Sequence, residues 1–271
     1  MKFAGKGQPL TRTGLNQALA ILGLGANDAA YIWTVVEVET AGLTQGFGFR
    51  VDRRPQILFE RHLFRKFTGG RFDSSAPEIS GPAGNYGLLS EQYSKLGKAL
   101  ALCANAKLGV EPALRAASWG MGQVMGFNYE VAGYKSAAAM IRAMVKNEDA
   151  QLSGMVRYLR ANGLAEKLVQ KDWTGFAKVY NGPSYWQNRY DVKLAEQYQR
   201  FASGSLPNLE MRTAQVALLL LGYAPGKIDG VIGPRTRAAI HNFRIAAGLA
   251  AGEELDGPTY QVLCKRAGIR P

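Results

Sequence analysis

The chain has 271 residues, of which 47% are hydrophobic and 20% are charged. That hydrophobic share supports a core that needs no disulfide bonds and excludes an intrinsically disordered chain, while 32 Gly and 11 Pro exclude a collagen-like or low-complexity sequence. The formal net charge of +12 predicts a polyanionic partner, such as nucleic acid, an acidic membrane surface or a cell wall.

The first 200 residues or so show mostly the hydrophobic spacing that is typical of helices. We predict helices over 15–22, 28–40, 90–106, 112–124, 136–162, 173–180 and 190–201, and a small β element near 45–60. The stretch 68–85 is rich in Gly, Pro and Ser, which predicts a long excursion, either ordered or mobile. Strong strand alternation is absent from the sequence, so the expected fold class is mainly α.

Small and polar residues with one proline, at 203–208, interrupt this pattern and predict a linker. We therefore expect a large domain over 1–202 and a small domain over 209–271. Helices of the small domain are predicted over 209–221, 234–247 and 259–267. Asp256 should cap the last of them, and three short helices around one core make a minimal bundle.

The basic residues are dispersed along the chain, which does not support a compact nucleic-acid patch and leaves a generally cationic surface as the alternative. No hydrophobic run approaches the roughly 20 residues of a membrane span, so we expect no stable membrane insertion. The start of the chain lacks the hydrophobic stretch of a secretory signal, and we expect the protein to be made in the cytoplasm without one.

Two cysteines and two histidines lie far apart in the sequence, which excludes a zinc site of the usual ligand spacing. These residues are Cys103, Cys264, His62 and His241. We expect both cysteines to be reduced, with Cys103 buried, and we expect no metal or cofactor.

Glu39 continues the hydrophobic face of the predicted helix 28–40. At about 100° per residue it falls within roughly 60° of Ile32 and Val36, whereas Glu37 should face water. Burial raises the pKa of a carboxyl group, which suits a general acid that works near neutral pH. The alternative is a structural glutamate paired with an arginine or a backbone amide.

Glu60 is a second candidate, since three hydrophobic residues precede it and two basic residues follow. Arg61 and His62 should stabilise its charge and lower its pKa. That would suit a base, a stabiliser of positive charge or an ion-pair anchor. Asp52, in a polar loop, is a weaker third candidate.

Two further segments combine glycine with aromatic and polar residues. In 118–123 (SWGMGQ), glycine permits close approach to the backbone, and tryptophan offers a flat surface for a sugar ring. The segment 179–183 (VYNGP) ends a predicted helix in a polar turn. Ordinary helix-end turns often have such a composition.

Five segments resemble, in order and spacing, the N-acetylmuramidase domain of phage endolysins across nearly all of 10–202. They are 39–42 (ETAG), 54–62 (RPQILFERH), 86–93 (YGLLSEQY), 117–128 (ASWGMGQVMGFN) and 180–183 (YNGP). More distantly, parts of three of these segments resemble the motifs of goose-type lysozymes and lytic transglycosylases.

The resemblance implies a lysozyme-like, mainly helical fold with a groove between two lobes. It implies Glu39 as the catalytic acid and Glu60 as the second important carboxyl group. It also implies sugar contacts from Ser118, Gln123, Tyr180 and Asn181.

The small domain resembles the three-helix peptidoglycan-binding module of many wall hydrolases. The matching segments are 221–223 (LGY), 228–236 (IDGVIGPRT) and 246–249 (AAGL). Both resemblances together imply a monomeric endolysin that hydrolyses the β-1,4 bond between N-acetylmuramic acid and N-acetylglucosamine. It would collect in the host cytoplasm until it reaches the wall. A lytic transglycosylase that uses the same glutamate and a non-catalytic basic wall binder remain the alternatives.

Overall fold

The structure is a computed structural model that describes residues 2–40 and 46–270. Within these residues the chain forms thirteen α-helices and one small sheet, which confirms the mainly α class. The helices are α1 Arg12–Leu22, α2 Ala29–Thr40, α3 Arg61–Phe67, α4 Gln92–Asn105, α5 Glu111–Arg115, α6 Ala137–Met144, α7 Glu148–Ala161, α8 Leu164–Val169, α9 Trp173–Tyr180, α10 Tyr190–Ser203, α11 Leu209–Leu220, α12 Pro234–Ala247 and α13 Gly257–Ala267. The strands are β1 Ile57–Phe59, β2 Ala117–Trp119 and β3 Val124–Met125.

Helix α2 lies in the core of the large domain and packs against α10. Ile32 and Val36 are only 1% and 3% exposed, so the predicted hydrophobic face is buried. Thr34 and Thr40 are buried as well, and each hydroxyl donates a hydrogen bond to the carbonyl four residues earlier, at 2.8 and 2.7 Å. These bonds satisfy both hydroxyls inside the core.

The sheet contains antiparallel strands in the order β1–β2–β3. Strand β1 confirms the predicted β element near 45–60, but its partner β2 and the start of β3 lie where we predicted a helix over 112–124. That prediction is wrong beyond Arg115, where α5 ends. Gly120 and Gln123, between β2 and β3, have φ of 72° and 44°, a left-handed conformation that a right-handed helix excludes.

The single helix predicted over 136–162 is in fact two helices, α6 and α7. Asn147 has an extended backbone, and its side-chain oxygen accepts a hydrogen bond from the backbone N–H of Ala150 at 2.9 Å. An asparagine in this position starts a new helix, because it satisfies an amide that the first turn leaves without a carbonyl partner.

The excursion 68–85 packs onto the large domain. Phe72, Ala76 and Ile79 are buried, and Ile79 belongs to the main core. Most of the excursion consists of turns, and the hydroxyl of Ser80 donates a hydrogen bond to the carboxylate of Asp73 at 2.5 Å, which joins two parts of it.

The small domain is the predicted bundle of α11, α12 and α13, and the helix ends lie close to the predicted ones. Gly248 ends α12 with φ of 73°, and Asp256 starts α13 by accepting a hydrogen bond from the Thr259 amide at 2.8 Å. Ile240 and Phe243 are buried in its core.

The two domains pack directly against each other. Phe47 and Phe49, which come from the large domain, are buried in the hydrophobic core of the small one. Arg212 on α11 forms an ion pair with Glu148 at the start of α7, with N–O distances of 2.5 and 2.8 Å and both side chains almost fully buried. The two domains therefore share a buried interface, and α10 extends to Ser203, the first residue of the predicted linker 203–208.

Within the described ranges, no single helix is both long and hydrophobic enough to cross a membrane. One pair, α1 with the helical stretch 26–40, meets the length and composition criteria together, but the two parts are bent by 96°. Several residues of both helices belong to the main core.

Candidate active site

Glu39 lies in the last turn of α2, on the same side as the buried Ile32 and Val36, as predicted. The residue as a whole is partly exposed, and the hydroxyl of Tyr190 at the start of α10 donates a hydrogen bond to Oε1. The sequence left open an arginine or amide partner for Glu39, whereas the structure gives it a tyrosine. A phenol brings no positive charge that would hold the carboxyl group ionised.

Burial raises the pKa of Glu39 to about 7, although the hydrogen bond from Tyr190 acts in the opposite direction. Desolvation dominates because a carboxylate loses more by leaving water than one neutral hydrogen-bond donor returns. Near neutral pH a large share of Glu39 therefore carries a proton. This is the protonation state that a general acid needs.

Aromatic side chains connect Glu39 to the sheet. The ring of Tyr190 stacks on that of Tyr180, with centroids 6.2 Å apart, and the hydroxyl of Tyr180 donates a hydrogen bond to the carbonyl of Gly122 at 2.8 Å. Burial and the charge of Glu39 raise the pKa of both tyrosines well above the ordinary value. Both phenols thus stay neutral, and they hold α9, α10 and the β2–β3 turn around Glu39.

A cavity of about 350 Å³ opens beside Glu39 between α2, α9 and α10. It is lined by Glu37, Val38, Glu39, Asn181, Asn188, Tyr190, Lys193 and Gln197. Of the predicted sugar-contacting residues, Asn181 lies here. Asn188, Lys193 and Gln197 were not predicted, because the sequence offers no motif around them.

Ser118 on β2 and Gln123 in the turn before β3 lie close together, because both belong to one hairpin. The hydroxyl of Ser118 donates a hydrogen bond to Oε1 of Gln123 at 2.7 Å, and Nε2 of Gln123 donates to the carbonyl of Gly120 at 2.7 Å. These bonds support the left-handed backbone of Gln123. The two side chains therefore shape the turn to which Tyr180 is bonded, and their contact with sugar stays a prediction.

Glu60 follows β1 directly, and its amide donates a hydrogen bond to the carbonyl of Ala116 at 2.8 Å. Burial raises its pKa, while His62, with Nδ1 3.2 Å from Oε2, and the hydroxyl of Tyr86 lower it. The predicted lowering of this pKa is therefore wrong. Arg61 does not add to the stabilisation, because its guanidinium group lies against Gly81.

The two carboxyl groups are carried by different elements, Glu39 by the last turn of α2 and Glu60 by the residue after β1. Glu60 is not among the residues that line the cavity at Glu39. It stands at the end of β1, and the sheet and the tyrosine pair connect the two positions. The structure thus brings Glu39, Tyr180 and Asn181 together.

Asp52 and Glu37 both form ion pairs. Burial opposes ionisation of Asp52, but Arg54 outweighs it and lowers the pKa, with the guanidinium 2.6 Å from the carboxylate. Glu37, which we predicted to face water, is 13% exposed and pairs with Lys227 of the small domain and with Arg200. That prediction is wrong because the small domain covers this side of α2.

Cys103 and Cys264 are both free and Cys103 is buried, as predicted, and Cys264 is buried as well. Over residues 2–40 and 46–270, no group of three or more His, Cys, Asp or Glu side chains is arranged to hold a metal ion.

Two family models and one solved structure match this chain. Residues 28–202 match the N-acetylmuramidase family, and residues 208–263 match a peptidoglycan binding domain family. The crystal structure of the Burkholderia AP3 phage endolysin is similar, with 33% sequence identity and a TM-score of 0.62 over 72% of this chain and 72% of that one. A search of the curated proteins found no match. The chain therefore belongs to the N-acetylmuramidase family and, with a peptidoglycan-binding domain after the catalytic one, has the organisation of a modular peptidoglycan-degrading endolysin.

Proposed function

We propose that Glu39 is the general acid with which this lysozyme-type glycoside hydrolase cleaves the β-1,4 bond between N-acetylmuramic acid and N-acetylglucosamine. The observation that carries the proposal is a desolvated carboxyl group with a pKa of about 7 at the edge of a cavity. Tyr190 occupies Oε1, which leaves Oε2 to carry the proton. The groups that line the cavity include amides, and amides suit the hydroxyl and acetamido groups of a glycan.

The reaction begins when Glu39 protonates the glycosidic oxygen. The bond from the anomeric carbon to that oxygen breaks, and positive charge develops on the sugar ring. Water then attacks the anomeric carbon and passes a proton to a carboxylate. Glu60 is the proposed second carboxyl group, as a base for this water or as a stabiliser of the positive charge.

Lytic transglycosylation is the second candidate reaction, because one carboxyl group with a pKa of about 7 can serve first as acid and then as base. In that reaction Glu39 acts alone, first as acid and then as base. The 6-hydroxyl of muramic acid attacks in place of water, and a 1,6-anhydro end results.

Mass spectrometry of the products in ¹⁸O-labelled water distinguishes the two reactions. Hydrolysis predicts new reducing ends that contain ¹⁸O, whereas 1,6-anhydro ends without label would assign a transglycosylase. If the folded protein does not turn over purified peptidoglycan, both reactions are excluded and the non-catalytic binder is the remaining alternative. The Glu39→Gln variant is the negative control for products that do not depend on the proposed acid.

We propose that the small domain over 209–271 holds the enzyme on the wall, since a bound module raises the local concentration of the active site near insoluble substrate.

The proposed sugar-contacting residues are Ser118, Gln123, Tyr180 and Asn181. The net charge of +12 suits an anionic wall and should speed encounter at low salt. We further propose a monomer that collects in the host cytoplasm before release to the wall, with neither nucleic acid nor a membrane as its partner.

A further inference from the structure

The small domain contacts α2 at the turn that carries Glu39. The ammonium group of Lys227, in the loop after α11, pairs with Oε1 of Glu37, and the guanidinium group of Arg200 lies 3.7 Å from Oε2. Glu37 is 13% exposed and lines the same cavity as Glu39. The peptidoglycan-binding domain therefore supplies one of the two cations that neutralise a carboxylate in the wall of the catalytic cavity, and α10 supplies the other.

A second contact lies further along the same chain. Arg212 donates a hydrogen bond to the carbonyl of Gly46 at 2.6 Å and two more to Glu148. Oε1 of Glu148 also accepts a hydrogen bond from the Gly48 amide at 2.9 Å. Arg212 of the small domain and Glu148 of the large domain together hold the backbone of residues 46–48. Both charged side chains are almost fully buried, so each depends on the other for its partner.

The small domain also encloses this segment sterically. The rings of Phe47 and Phe49 are 0% and 1% exposed and belong to the small domain's core. A Cβ atom at Gly46 would lie 2.4 Å from the carbonyl oxygen of Ile228, so the backbones touch. Residues 46–49, which lie between Glu39 and Glu60 in the sequence, are thus packed against the peptidoglycan-binding domain.

We propose that Lys227 is a positioning residue for the glycosidase reaction: through Glu37 it fixes the end of α2 that presents Glu39, which makes the peptidoglycan-binding domain part of the catalytic centre. The proposal rests on the proposed role of Glu39 as the acid. A domain that only tethers the enzyme would affect the attack on insoluble wall and leave the rate on soluble fragments unchanged. A domain that positions Glu39 sets the rate on both substrates.

The test compares full-length Lys227→Met, Lys227→Arg and Glu37→Gln with the double variant Lys227→Met/Glu37→Gln. kcat and KM are measured on soluble peptidoglycan fragments, and binding to sacculi is measured by sedimentation. Lys98→Met is the matched control, because Lys98 forms an exposed ion pair with Glu78 on another face.

Lys227→Met is expected to lower kcat on soluble fragments by about 5- to 20-fold, since a small misplacement of a catalytic group costs rate steeply. KM, sedimentation and the melting temperature should stay close to those of the wild type. Lys227→Arg should restore kcat, because it keeps the charge. The double variant should be no slower than the slower single variant, because both remove one interaction. Lys98→Met should match the wild type.

If Lys227→Met keeps the wild-type kcat on soluble fragments, the positioning role is overturned. A slow Lys227→Met that Lys227→Arg fails to rescue would overturn it as well. If Lys227→Met is unstable, the kcat of Glu37→Gln on soluble fragments takes its place, and a wild-type value would overturn the positioning role. Glu39→Gln is assayed alongside. If Glu39→Gln turns over substrate at the wild-type rate, the proposed function itself is contradicted. If Glu39→Gln is inactive and Lys227→Met has the wild-type kcat, only the positioning role is contradicted.

Discussion

The hydroxyl of Tyr190, at the first residue of α10, donates a hydrogen bond to the carboxylate of Glu39, at the end of α2, across 151 positions of sequence. Burial raises the pKa of Glu39, and this bond limits the rise to about 7. The pair thereby sets the fraction of enzyme that carries a proton on its acid near neutral pH.

Tyr190→Phe should move the alkaline limb of the pH–rate profile to higher pH. Activity needs protonated Glu39 and so declines as pH rises through its pKa. Loss of the hydrogen bond removes the influence that lowers this pKa. The measurement is kcat on soluble fragments against pH. Tyr198→Phe, which alters a tyrosine that stacks on Tyr31 between the same two helices, is the control and should leave the limb in place. A limb that moves to lower pH in Tyr190→Phe would contradict the account.

Glu39→Gln should stabilise the fold at alkaline pH. The folded pKa of about 7 exceeds the ordinary value of 4.5, so the folded state keeps a proton that the unfolded chain has lost. Wild-type stability should therefore fall as pH rises from about 4.5 to 7, by up to about 3 kcal/mol. The variant has no such dependence. Urea denaturation at pH 4.5 and pH 8 checks this, and an equal difference between the proteins at both pH values would argue against a buried acid.

Glu60→Gln separates catalysis from ion pairing. Burial raises the pKa of Glu60 despite His62 and Tyr86, so its carboxylate costs the fold stability at neutral pH. Replacement by glutamine should then leave the melting temperature unchanged or higher. If Glu60 orients water or stabilises charge, kcat should fall by about 10²-fold or more. A lower melting temperature with a small change in kcat would instead make Glu60 an ion-pair anchor.

Arg212→Met should destabilise the whole protein by about 3–5 kcal/mol, because it leaves Glu148 buried without its cation. The exposed pair Arg189–Glu196, 3.9 Å apart, offers the control: Arg189→Met should cost less than about 0.5 kcal/mol. Both values come from chemical denaturation. Because the domains share a buried interface, the wild type should unfold in one transition. Two separate transitions, with a similar cost for both variants, would mean that the domains are independent.

Local signals in the sequence predict much of this fold. The positions of Ile32, Val36 and Glu39 on one helix face are enough to predict a buried acid, and burial does raise its pKa. The caps at Gly248 and Asp256 are equally local, and the helices of the small domain end close to where they were predicted.

Long-range contacts account for the errors. Strand pairing overrides the helical pattern after Arg115, because β1 is nearly 60 residues earlier and supplies the partner for β2. Glu37 is paired because Lys227, 190 positions later, approaches it. Tyr190 lies in none of the motifs that mark the site, and only the packing of α10 on α2 shows that it touches Glu39.

The rate at which purified full-length protein releases new glycan ends from peptidoglycan, wild type against Glu39→Gln, tests the central claim most directly. Glu166→Gln, at an exposed position on α8, controls for the loss of one carboxylate. The account predicts that Glu39→Gln loses about 10²–10⁴-fold in rate while it still sediments with sacculi. It also predicts that Glu166→Gln works at the wild-type rate. Near-normal release by Glu39→Gln would show that another group donates the proton and would contradict the assignment of the site.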